Sequence, residues 1–418
     1  MRGAVTSRRT TTLLEAPGVV CDAYTGLLRA SSEVPRRPHD PDVFVWAVLF
    51  AGAEGDAAGG AGLTLEAARM AAVGEAIERV LCAASPADQV LTASLDELRG
   101  QGSARALDPS SMPLFTGEQH ASPGFPFAPF DPARPMRWVG FRELTTGEPV
   151  WGPEELAFLR PGPAGHGLAP SISTGLAAGP VEGVVLRGLQ EVIERDAIMG
   201  AWWGSYAIDQ LDAREVFAWL GASVARRLQR PNLRYRFYRV RSPFSDHVTI
   251  ASLEGDDREG PVVSFGSACR ETIGESLLKA AIEAVQGRGY VRMLLAAPAP
   301  VSARPRSFAE HAAHHARHPG ELARTPLASA APASLGTSRG PESLTTLLRK
   351  LGPDHAPLVR LVTPARVARH APGWVVVRVV APGLTPLHGD HALAHLASPL
   401  WRGRPLSAWA AHPPHPFP

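Results

Sequence analysis

"QEVIERDA", residues 190–197, places Glu191, Glu194 and Arg195 in a run whose apolar positions recur at helical spacing. Nearly the same phrase, "GEAIERV", stands at 74–80 and carries Glu75, Glu78 and Arg79. Two carboxylates three residues apart on a helix stand roughly 60° apart around the axis and about 4.5 Å apart along it, so both can reach one cation. Oxygen donors that leave room for water and phosphate are what Mg2+ takes. A single copy is equally compatible with a solvated helix face whose ion pairs contribute roughly a few tenths of a kcal/mol each. Two copies, each preceded by a Gly-rich stretch at a helix N-terminus that suits phosphate, argue for a site.

Outward from these phrases, "GDAAGGAGLT" (55–64) reads as a loop that opens a helix over Leu65 to Leu81. Val73, Ile77, Val80 and Leu81 share one stripe of it, with Glu75 and Glu78 opposite. "PGPAGHGLAP" and "SISTGLAAGP" (161–180) lead likewise into a helix over 181–203, with Val181, Val185, Leu189, Val192 and Ile193 on its apolar face. A third helix, "GESLLKAAIEAVQGR" (274–288), repeats the step as Glu283 and Gln286, with Arg288 beyond. Strands are predicted in 24–34 and 43–51, in 235–240, 248–255 and 261–268, and in "GWVVVRVVAPG" (373–383). "RWVGFRELTTGEPVW" (137–151) reads as a hairpin turning at Gly147, 99–136 as a long loop, and 298–342 as irregular apart from one helix. The fold class expected is α+β, with mixed or antiparallel sheets, packed helices and a site between the acidic ones.

Composition narrows the function by exclusion. The 418 residues suffice for a sizeable core at 45% hydrophobic content, and 42 basic against 40 acidic residues leave no field for nucleic acid or an anionic membrane. The longest apolar run, "VFVWAVLFAGA" (43–53), is too short to span a bilayer, and no signal peptide follows the N-terminal arginines. Cys21, Cys82 and Cys269 form neither a disulfide framework nor a zinc knuckle, so reduced cytoplasmic thiols are expected. No GxxxxGK[ST], GxSxG or HExxH pattern occurs.

Three stretches resemble the YcaO superfamily, and within it the SagD-like, azoline-forming cyclodehydratase subunits of ribosomal-peptide maturation. They are "GGAGLTLEAARMAAVGEAIER" (59–79), "STGLAAGPVEGVVLRGLQEVIERDA" (173–197) and "EAVQGR" (283–288), joined by "PGLTPLHGDH", "PLWRGRPL" and the closing "PHPFP". The resemblance runs from about residue 15 to the end, which implies one YcaO domain over 15–418 after a flexible 1–14, with loop insertions near 99–136 and 298–342 and a Pro-rich tail at 411–418. It implies ATP and Mg2+ as cofactors. Glu75, Glu78, Glu191 and Glu194 would ligate magnesium; Gly60, Gly62, Arg79, Arg195, Glu283, Gln286 and Arg288 would join them around the nucleotide. Arg195 and the terminal carboxylate of Pro418 would act in catalysis. Where the family's first stretch often has Ser-Gly-x-Gly and a further Ser, this chain has Gly59-Gly60-Ala61-Gly62 and Ala71.

The chemistry so implied is attack of a Cys, Ser or Thr side chain of a precursor peptide on the preceding carbonyl, phosphorylation of that oxygen by ATP, and loss of phosphate to leave a thiazoline or oxazoline. The implied partners are the precursor peptide, an E1-like or ThiF-like leader-binding C protein and, in some pathways, a flavin dehydrogenase; a homodimer is also implied. Some relatives carry the leader-binding domain fused ahead, and since the resemblance starts near residue 15 a separate C protein is expected. The rival readings are a YcaO enzyme that makes thioamides or another backbone change, and a non-catalytic YcaO scaffold. "HAAHHARHPG" sets His311, His314, His315 and His318 at helical spacing, read as a solvated helix; "LHGDHALAH" with His388, Asp390, His391 and His395 is read as structural. Trp202 and Trp203 are read as core.

Overall fold

A computed structural model describes residues 28–50, 57–83, 89–101, 105–159, 167–169, 174–257, 260–297, 304–336, 340–363 and 374–417. Along the chain come β1 (Leu28–Glu33), β2 (Phe44–Phe50), β3 (Ala57–Gly62), α1 (Leu65–Leu81), β4 (Leu91–Ala93), α2 (Leu95–Gln101), β5 (Arg105–Ala106), α3 (Gly117–His120), β6 (Met136–Glu143), β7 (Pro149–Pro153), β8 (Leu176–Pro180) and α4 (Val181–Trp202). There follow β9 (Ile208–Leu211), α5 (Ala213–Leu220), α6 (Ala222–Leu228), β10 (Leu233–Val240), β11 (Val248–Asp257), β12 (Gly260–Cys269) and α7 (Ile273–Ala296). The last elements are α8 (Phe308–Arg317), β13 (Ala331–Ala333), α9 (Leu344–Leu351), β14 (Leu358–Leu361), β15 (Trp374–Val380) and α10 (Leu406–Ala410).

The strands form three sheets, ordered β1-β2-β3, β12-β11-β10-β9-β13 and β5-β7-β6-β14-β15-β8, with β4 also on β6. Pairing is antiparallel except for β5 with β7 and β9 with β13, so the α+β expectation with mixed and antiparallel sheets holds. One arrangement organises the rest: β3, β8 and β12 are each the edge of a different sheet, and each runs within a few residues into a long helix, α1, α4 or α7. α1 and α7 pack on the faces of their own strands, where the glycines Gly60 and Gly266 admit the helix backbone.

Local chemistry sets the helix starts. Thr64 caps α1 by accepting from the Ala67 N–H, and Thr272 with Glu275 forms a capping box on α7. α4 lacks a side-chain cap, and its first turn is broken at Glu182 and at Gly183, where φ is 136°, so Val181 is 54% exposed instead of joining the apolar face. The hairpin of β6 and β7 turns at Gly147 (φ 76°) as expected. The 99–136 segment is more than a loop: the end of α2, β5 and α3 fall in it, and Met112, Leu114 and Phe115 are buried in the core under the third sheet. Trp202 and Trp203 are core residues, 1% and 2% exposed. Cys82 and Cys269 are buried free thiols; Cys21 lies outside the described residues.

Candidate active site

The three strand-helix units repeat one hydrogen bond. The backbone N–H of Gly59 donates to Glu75 Oε2 (3.3 Å), that of Gly175 to Glu191 Oε2 (2.9 Å) and that of Ser267 to Glu283 Oε2 (3.3 Å), and in each case donor and acceptor are 16 residues apart. The spacing follows from geometry. Ten helical residues rise about 15 Å, close to the span of four to five extended residues, so a helix folded back along the chain that precedes it meets that chain again at that distance.

The residue three positions further on reaches into the next unit. Glu78 Oε1 accepts from the Ala178 N–H of β8 at 2.7 Å. Glu194 accepts from Ser267 Oγ (2.7 Å) and the Cys269 N–H (3.0 Å) of β12. Gln286 lies against β3, where a Cβ placed on Gly59 would stand 2.9 Å from its Nε2. The first unit grips the second, the second the third, and the third the first: the three helices close a ring around the acidic residues. α1, α4 and α7 supply Glu75 and Glu78, Glu191 and Glu194, and Glu283 and Gln286 to one place.

Each leading carboxylate has a basic neighbour one helical turn away: Arg79 for Glu75 (2.6 Å), Arg195 for Glu191 (3.7 Å) and Lys279 for Glu283 (3.0 Å). Negative charge nevertheless concentrates. Burial first, then the charges of Glu191 and Glu75, push the Glu78 carboxyl well above its usual range, against the hydrogen bond from Ala178. Glu191 is raised as well, by burial and Glu194, although Arg195 opposes this. Five carboxylates face Arg79, Arg195, Lys279 and Arg378, and an oxygen-rich set with this excess charge suits a hard cation such as Mg2+. Arg378, fully buried on β15 behind Glu191, escaped notice in the sequence. It donates to the Thr174 and Ala157 carbonyls, and its signal was a lone charge inside "WVVVRVV".

Several expected ligands stand elsewhere. Gly60 and Gly62 are strand residues, not a phosphate loop: a Cβ on Gly60 would lie 2.2 Å from Ala72 N and 2.5 Å from Ala68 O, and one on Gly62 2.8 Å from Ala67 Cβ. Their glycines let α1 lie directly on β3. The helix N-termini are also remote, because Glu75 and Glu191 sit ten residues into α1 and α4, about 15 Å from where a phosphate would meet free N–H groups. Arg288 is not with Gln286. Two residues on, it points to the opposite side of α7, is 1% exposed, and donates to the carbonyls of Val262 (2.9 Å) and Gly255 (3.2 Å) with Asp40 beside it. Pro418 lies outside the described residues; from Pro413 to Phe417 the tail is buried, with Pro413 O accepting from Trp202 Nε1.

A groove of about 770 Å³ is lined by Tyr206, Arg239, Arg241, Ser245, Asp246 and His247, with none of the ring's carboxylates on its wall. Ser245 links the two, since its Oγ lies 3.4 Å from the sulfur of Cys269, whose N–H binds Glu194. The histidines of α8 differ from expectation: His311, His314 and His315 are buried, as are His388, His391 and His395.

A family model described as YcaO cyclodehydratase, ATP- and Mg2+-binding, matches residues 59–385. No curated protein sequence matches the chain. Among solved structures, YcaO from Methanopyrus kandleri bound with AMPPCP and Mg2+ is 19% identical, with a TM-score of 0.58 and 87% of each chain covered. A heterocyclase in complex with substrate and cofactor is 16% identical (TM-score 0.68), 94% of this chain spanning 55% of that one. The E. coli microcin synthetase McbBCD complex with pro-MccB17 bound contains a chain 13% identical (TM-score 0.63), with 93% of this chain and 96% of that one covered. At these identities the likeness establishes the fold.

Proposed function

Since the chain belongs to the YcaO cyclodehydratase family, we propose that it is an ATP-dependent cyclodehydratase subunit that converts Cys, Ser or Thr residues of a ribosomal precursor peptide into thiazolines or oxazolines. The observation that carries this reading is the ring, in which Glu78 of α1 accepts from the Ala178 N–H of β8 while Glu191 of α4 accepts from the Gly175 N–H just before that strand, so that two helices more than a hundred residues apart bring their carboxylates to the same strand. Two carboxylate pairs on one cleft are the donor set expected around a nucleotide triphosphate. Mg2+ bound there would neutralise charge on the transferring phosphoryl group.

The residues of this chain divide the remaining work. Glu75 and Glu191, each tied to a strand N–H, are held at fixed height in the cleft, while Glu78 and Glu194 are oriented by the neighbouring unit. Arg79 and Arg195, already at the cleft, are placed to take phosphate oxygens. In the peptide, the side-chain thiol or hydroxyl gives up its proton to solvent as it bonds to the preceding carbonyl carbon, and the resulting oxyanion takes the γ-phosphoryl group as ADP leaves. The C–O bond then breaks, phosphate departs with its electron pair, and loss of the amide proton completes the C=N bond. The carboxylate of Pro418 is the proposed acceptor of that proton, supported by a tail buried as far as Phe417. The groove beside Ser245 offers room for an extended peptide.

As partners we propose an E1-like or ThiF-like C protein that binds the leader peptide, a flavin dehydrogenase where azolines are oxidised, and a second copy of this chain. We place the reaction in the cytoplasm; among the described residues no helix is long and apolar enough to cross a membrane. The test is Glu191→Ala, assayed with partner and precursor peptide. ATP consumption and the loss of one water mass per ring should both cease. A variant that dehydrates peptide at the normal rate refutes the site.

A further inference from the structure

Two segments that are distant in sequence bring histidines together. His311 of α8, 0% exposed, meets His388 and His391 of the stretch after β15, each 3% exposed. One nitrogen of each lies within 4.8 Å of those of the other two. Their hydrogen bonding is incomplete. His311 Nδ1 is 2.7 Å from the His415 carbonyl and so carries the proton, which leaves Nε2 as a bare, buried acceptor. Neither nitrogen of His388 has a hydrogen-bond partner among the described residues. His391 Nε2 faces Arg304 Nη1 at 3.2 Å and, since a guanidinium only donates, presents a lone pair there.

A buried polar atom without a partner costs on the order of 1–3 kcal/mol, and several such atoms converging on one point ask for a common partner. Three imidazoles without a carboxylate suit Zn2+ and not Mg2+. We propose that His311, His388 and His391 form a binding site for a divalent transition-metal ion, Zn2+, which clips the C-terminal segment 411–417 onto α8.

Zinc-nitrogen bonds of about 2.1 Å set tetrahedral ligands roughly 3.4 Å apart, so the rings close by about an ångström on binding. The ion competes with Arg304 for His391; Arg304 keeps its bonds to the carbonyls of Ala410 and His412. The clip follows from the outer contacts. His311 holds the His415 carbonyl through Nδ1–H, its ring stacks on that of His415 at 3.8 Å, and His415 Nε2 is bonded to the His388 carbonyl at 2.8 Å. A ligand histidine whose far nitrogen is fixed to a backbone carbonyl is the usual second contact of a metal site.

The test uses the full chain stripped of metal, then dialysed against Zn2+ alone or Co2+ alone, with Mg2+ in excess to occupy the carboxylates. One equivalent of Zn2+ should be retained, and Co2+ should give the intense visible bands of tetrahedral coordination. His388→Gln and His391→Gln should lose both, and Arg304→Gln should bind more tightly. Zn2+ should also slow amide hydrogen exchange in 411–417. Retention by the wild type no greater than by His388→Gln, a weak octahedral Co2+ spectrum, or unchanged exchange in the tail overturns the proposal. If the histidine variants do not fold, the wild-type Co2+ spectrum decides.

Discussion

Replacing Glu78 with Gln should make the metal-free protein more stable and the enzyme inactive. The substitution is isosteric and keeps Oε1 as acceptor for the Ala178 N–H, a 2.7 Å bond, so the contact from α1 to β8 survives. What disappears is one negative charge in a cleft where burial, Glu191 and Glu75 all disfavour it. Like charges a few ångströms apart in a partly buried cleft repel by on the order of 1–3 kcal/mol. For a chain of this size, about 1 kcal/mol moves Tm by roughly 1–2 °C, so Glu78→Gln should unfold a few degrees higher in EDTA. Ligand at a hundred times its Kd stabilises the wild type by about 2.7 kcal/mol, and the variant should gain far less from Mg2+ and ATP. Thermal unfolding with and without Mg2+ and ATP checks both signs together. A variant that unfolds earlier than wild type in EDTA, or gains equally from the ligands, refutes the reading of this cluster as a cleft held open for cations.

Gly60→Ala drives a methyl group into the backbone of α1 at Ala68 and Ala72, and overpacking of this kind should cost about 1–3 kcal/mol or more, seen as a lower denaturation midpoint. Arg288→Met leaves the Val262 and Gly255 carbonyls without the donor Arg288 gives them, while Asp40 keeps its pair with Arg292, so stability should fall by about 2–4 kcal/mol while KM for ATP stays unchanged. The pH dependence has a fixed sign. Glu78 and Glu191 are raised in the folded state, so the stability they contribute without metal is present below the unfolded value near 4.5 and is lost as pH rises through the raised values. Mg2+ must displace those protons, and calorimetry should find its affinity falling as the solution is acidified.

Much of this was readable in the residues. α1 runs over Leu65–Leu81 as its apolar stripe predicts, and the repeated E-x-x-E phrases meet in one cleft. What the sequence obscured were contacts between units. Glycine-rich 59–62 looks like a loop because nothing local says that a helix lies on the strand; only the approach of Ala72 N to Gly60 explains it. Helical arithmetic separates Arg288 from Gln286, since two residues further on is 200° around the axis. The histidines of α8 looked solvated because their cover, 388–391 and the tail at 411–417, arrives from the far end of the chain.

The closed ring of three units also bears on biosynthesis. Gly59 and Gln286 are 227 residues apart, and no local segment can bring them together. A nascent chain made at about 5–20 residues per second carries Glu75 and Glu78 for ten seconds or more before α7 emerges. During that interval the first acidic helix has a strand beneath it but no third neighbour, and long-range closure of this kind is slow. The ring therefore cannot close before the segment through Ala296 has left the ribosome, and a truncated product stopping short of α7 lacks the third unit of the site.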